Sequence, residues 1–95
     1  MKVSDITYNE IADYIRLTEI SNEEQELLTN LIVIAKSFIT ENTGVQDLDE
    51  FDDFVIVVFI LCQDMYDSRS LYVDKTNLNH VVETILGMHS TNNIC

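Results

Sequence analysis

The nine residues from Phe54 to Cys62, FVIVVFILC, carry no charge. A run of this kind is driven out of water and must sit near the centre of whatever the chain forms. Its β-branched residues Val55, Ile56, Val57 and Val58 suit a buried strand. The pattern nevertheless continues at helical spacing through Phe51, Val55, Val58, Cys62, Met65 and Arg69, and no other segment offers a strand to pair with. The spacing predicts a helix over about 49–69 that is apolar on every side from Phe54 to Cys62, and so surrounded by other helices or by another subunit.

Three further helices follow from start and stop signals. Thr7 and Glu10 have capping-box spacing ahead of Tyr8, Ile11 and Ile15, which predicts a helix over about 8–17. Ser21 and Glu24 repeat the box before Leu27, Leu28, Leu31, Ile34, Ala35, Phe38 and Ile39, a pattern expected to run over about 22–42 and to stop at Gly44. Asn77 is the expected cap of a last helix carrying Leu78, Val81, Val82, Ile85 and Leu86, fraying near Gly87. The tail STNNIC reads as polar and mobile. With no proline and only two glycines, the expected architecture is all-α: a single domain over residues 1–95, a small bundle of about four helices with a long apolar central helix.

Charge narrows the function classes. Seventeen acidic side chains against five basic ones give a formal charge of -12, which repels phosphate backbones and anionic lipid. Mimicry of DNA charge, or lining a passage that DNA traverses without sticking, remain compatible. Cys62 in the apolar run and Cys95 at the last position do not suggest a disulfide framework. No signal-peptide pattern and no run near the ~20 residues of a membrane span occur, so the expectation is a soluble protein made in the cytoplasm.

The acids Asp47, Asp49, Glu50, Asp52 and Asp53 invite a calcium reading, but Leu48 and Phe51 interrupt them and the central glycine of an EF-hand loop is missing. They read better as charges at the positive end of the third helix. His80, Glu83 and His89 lack the spacing of a zinc-binding helix and read as structural histidines. No nucleophile, base and orienter set and no glycine-rich phosphate loop is present. The expectation is a protein with no catalytic activity, no metal and no cofactor.

The stretch DMYDSRSLYVD (64–74) ends the apolar run by gathering acids, tyrosines and Arg69. Arg69 carries a planar charge to the edge of the core, where an acid should meet it. The expected structural anchor is Arg69 with Asp64 and Asp67, an ion pair within the subunit fixing the joint between the last two helices. The candidate subunit or partner interface comprises Tyr66, Arg69 and Tyr72, since aromatic and arginine side chains are enriched in contacts, with Ile56 and Ile60, since a helix apolar on every side has more faces than one small bundle covers.

Nearly the whole chain resembles the small head-tail connector (adaptor, or DNA-packaging) proteins of tailed bacteriophages and prophages. The opening MKVSDITYNEIADYIRL, the segment EEQELLTNLIVIAKSFITENTG, the apolar helix passing into DMYDSRS, and VDKTNLNHVVETILGMHS carry the likeness in that order. The resemblance implies an all-helical protomer that joins a ring of about a dozen copies beneath the portal protein, a closed assembly of the head-to-tail type. It also implies docking of a head-completion (stopper) or tail protein, DNA passing through without specific binding, and location in the host cytoplasm during assembly and at the virion head-tail junction afterwards. The competing expectation is an acidic DNA mimic or other protein-binding inhibitor module.

Overall fold

The computed structural model describes residues 1–89; the tail STNNIC, with Cys95, lies outside the described residues. Within them are four α-helices, α1 (Tyr8–Tyr14), α2 (Asn22–Thr43), α3 (Phe54–Ser68) and α4 (His80–His89), and no strand. Short 3-10 turns at Val3–Asp5, Leu48–Glu50 and Lys75–Asn77 punctuate the joints. The all-α bundle expected from the sequence is therefore present, and no described helix is long and apolar enough to cross a membrane.

The core is the seam between α2 and α3, closed by α1 and α4. Leu28, Leu31, Ile32, Ala35 and Ile39 line the α2 side, and Phe54, Val57, Val58, Leu61, Cys62 and Met65 line the α3 side. Ile11 and Ala12 of α1 and Val82 and Leu86 of α4 complete it. The chain measures 46 × 27 × 17 Å. Since packed helix axes lie about 8–10 Å apart, that shortest dimension holds two layers of helices. Each helix thus has one buried side and one side toward solvent.

That geometry corrects the reading of the third helix. It is 15 residues long, shorter than the 22 of α2, and it is not covered on every side: Ile56 is 37% exposed and Val55, Phe59 and Ile60 are half-buried. Its start lies at Phe54 rather than near 49, because the acids before it are committed elsewhere. Asp47 accepts the Asp49 amide and closes the 3-10 turn, Phe51 is extended (φ -128°), and Asp49 reaches 45 residues back to accept the Ser4 amide at 2.9 Å.

The start signals of the first two helices hold. Thr7 accepts the Asn9 amide while Glu10 accepts the Thr7 amide at 2.6 Å, and Ser21 accepts the Glu24 amide at 3.2 Å. The second box is only half formed, because the Glu24 carboxylate accepts from the Tyr66 hydroxyl instead. Gly44 (φ 78°) ends α2 as expected, its amide donating to the Thr40 carbonyl. The first helix stops at Tyr14 instead of about 17, because Arg16 turns left-handed (φ 66°) and Leu17 donates back to Ala12.

The fourth helix departs from expectation at its start. Asn79, not Asn77, caps it, accepting the Val81 amide at 2.8 Å. Asn77 instead ends a 3-10 turn whose amides and side chains bond to Asp74. At the other end α4 passes through Gly87 and is helical as far as His89, the last described residue.

Candidate functional site

The segment after the apolar run is built around a helix end. The Arg69 amide donates to the Tyr66 carbonyl and the Ser70 amide to that of Met65, with Arg69 left-handed at φ 58°. These are the two bonds of a Schellman closure, with arginine where glycine is usual. Arg16 occupies the equivalent place after α1, with bonds from Arg16 to Asp13 and from Leu17 to Ala12. A cation at the negative end of a helix dipole gives each arginine an electrostatic reason to stand there.

The ion pair expected for Arg69 is not formed. No carboxylate among the described residues lies within 4.0 Å of its guanidinium, which instead rests over the Tyr66 ring, 5.5 Å from the centroid. Asp64 and Asp67 belong to the same helix as Tyr66, yet the guanidinium rests on the ring and pairs with neither acid. The cross-link between helices comes from Tyr66, whose hydroxyl donates to Glu24 at 3.0 Å. This bond takes the Glu24 carboxylate away from the capping box of α2 and ties the first turn of α2 to the last turn of α3. Burial, and then the bond to the Glu24 carboxylate, push the Tyr66 phenol above its ordinary range.

Asp64 and Asp67 face solvent on the outer side of α3. Partial desolvation, and then the neighbouring Asp67 charge, hold the Asp64 carboxyl above the usual carboxylate range. The two flank a hollow of about 370 Å3 under the joint, shared with Tyr72 and Asp74. Tyr72 is 65% exposed.

Ile56 and Ile60, one turn apart, share the outer face of α3 with half-buried Phe59, which stacks on Tyr14 of α1 at 5.1 Å between centroids. The structure does not gather all five candidate interface residues into one site. Tyr66 and Arg69 lie at the far end of the helix, about 15–20 Å along the axis from Ile56, and Tyr72 stands on the joint beyond. Cys62 is buried, which pushes its thiol up to about 12 and leaves it protonated.

One cluster escaped the sequence reading. His89 Nε2 bonds both oxygens of Asp53 at 2.9 and 3.0 Å, and its ring lies 4.2 Å from Phe51 and 5.0 Å from Phe54, centroid to centroid. A carboxylate only accepts, so Nε2 carries the hydrogen. The contact ties His89 of α4 to the N-cap residue of α3. A signal was available: His89 continues the buried row Val82 and Leu86 at i+7 and i+3.

Three acids of the run at 47–53 are thus engaged, Asp47 in a local cap and Asp49 and Asp53 in long-range bonds, while Glu50 and Asp52 are exposed. Among the described residues no three His, Cys, Asp or Glu side chains converge as metal ligands would. His80 is exposed at the first position of α4, away from His89.

Comparison with protein-family models, with curated proteins and with solved structures gives no match to this chain.

Proposed function

We propose that this chain is a structural subunit that assembles with copies of itself into a ring, acting as a head-tail connector of a tailed phage or prophage. The ring sits under the portal protein, extends the DNA channel and receives a stopper or tail protein. No covalent chemistry is involved.

The observation that carries this reading is the outer face of α3, where Ile56, Phe59 and Ile60 form an uncharged apolar stripe on a chain of formal charge -12. Copies of so acidic a protein repel one another, and contact is least unfavourable where no carboxylates oppose each other. Burying such a stripe also removes apolar surface from water, at roughly 25 cal/mol per Å2. The remaining acids suit a channel that DNA must pass without adhering. An acidic DNA mimic has less support, because Asp47, Asp49, Asp53 and Asp74 are engaged in bonds within the chain rather than displayed.

The test is negative-stain imaging of the protein mixed with the portal protein encoded in the same genome. An added ring is expected with the wild type and none with Ile56→Glu/Ile60→Glu, whose helical circular dichroism should match the wild type. A portal that gains no density from the wild-type protein overturns the reading.

A further inference from the structure

Between α2 and the end of α3 there is a hollow of about 230 Å3. Leu27, Leu31 and Met65 form its floor, and Tyr66, Arg69 and Leu71 stand at its rim. The floor is part of the core: Leu31 is 0% and Met65 2% exposed. Leu71, by contrast, is 61% exposed, an apolar side chain held in water beside an apolar opening. Small-molecule sites usually hold about 300–1,000 Å3. This one is sized for a single side chain, like the pockets that receive anchor residues in protein contacts.

The charge at the rim says what kind of anchor. Arg69 is exposed, and in a chain with 17 acids none of the described carboxylates comes within 4.0 Å of it. Its side chain makes no hydrogen bond to a described residue, while the Tyr66 ring beneath it is itself held by Glu24. A guanidinium with its donor fork free, supported on an aromatic ring at the mouth of an apolar hollow, is complementary to a carboxylate adjoining an apolar side chain.

We propose that this hollow docks a partner segment that inserts one leucine-sized apolar side chain and places an adjacent Asp or Glu on Arg69. The inference is independent of the connector reading, since it concerns the opposite end of α3 from the Ile56 stripe. The pocket is formed by a single subunit, so one copy suffices to bind. Glu24 and Asp67 nearby keep the affinity low, with a dissociation constant on the order of 1 mM.

The test is an NMR titration of isotope-labelled full-length protein with a terminally blocked peptide, Gly-Asp-Leu-Asp-Gly. Saturable amide shifts are expected at Leu27, Leu31, Tyr66, Arg69 and Leu71. The peptides with alanine for leucine, or with lysines for the aspartates, should bind at least tenfold more weakly. Arg69→Gly should weaken the first peptide by the same factor while leaving the rest of the spectrum in place, because glycine adopts φ 58° without strain. Shifts confined to other surfaces, no shifts at all, equal binding of the lysine peptide, or undiminished binding by Arg69→Gly would each overturn the proposal. So would pocket shifts that follow protein concentration without peptide, which would make a second copy the occupant.

Discussion

Arg16 and Arg69 are the chain's only arginines, and both stand in the left-handed position that closes a helix. For a residue with a Cβ that conformation costs about 1–2 kcal/mol, partly offset here by the helix dipole. The two differ in what the side chain does, since Arg69 rests on Tyr66. Arg16→Gly is therefore expected to raise stability by about 0.5–1 kcal/mol, net of the greater freedom of glycine in the unfolded chain. Arg69→Gly should change it by less than about 0.5 kcal/mol, because a cation-π contact of similar size is lost. Thermal melts of the two variants separate the cases, as about 1 kcal/mol moves the midpoint of a domain this size by several degrees. Neither closure could be read from the sequence, where left-handed ends are sought at glycine or asparagine.

At the level of elements, the starts of α1 and α2 were legible because a cap is local: Thr7 with Glu10, and Ser21 with the Glu24 amide, meet within one turn. The start of α3 was not, because its acids are claimed by distant partners, Asp49 by Ser4 and Asp53 by His89. The Asp49 bond gives a pH signature. Hydrogen bonds from Ser4, with smaller help from Lys2 and Lys36, hold the Asp49 carboxyl below the usual range. The folded state then binds fewer protons there than the unfolded state, so the contribution is present above the ordinary carboxylate range and is lost as pH falls through the lowered folded value. Melts of wild type and Asp49→Asn should differ near neutral pH and converge as the pH is lowered through that window. A gap that stays constant would show that Asp49 acts through shape rather than charge.

Taken as a molecule, the chain is a two-layer slab whose buried core is the α2 and α3 seam and whose apolar stripe at Ile56, Phe59 and Ile60 lies on the outside of α3. Truncation on the two sides of α3 should separate them. Leu61→Ala, at a site 1% exposed, opens a cavity and is expected to cost about 2–5 kcal/mol. Ile56→Ala, on the outer face, should cost less than about 1 kcal/mol. Urea unfolding measures both, and comparable losses would mean that the outer face is packed rather than free.

Helix content, the α2 boundaries, the buried rows and the central place of the apolar run were all contained in the order of residues, because periodicity and caps are short-range. The same was true of the net acidity that any function must accommodate. Where Arg69 turns, which acid bonds Tyr66 and His89, and which side of α3 stays uncovered depended on the packing of segments up to 45 residues apart. An αL turn aims a side chain by backbone torsion, and a slab two helices thick can cover only one side of each. Neither property is encoded by spacing along the chain.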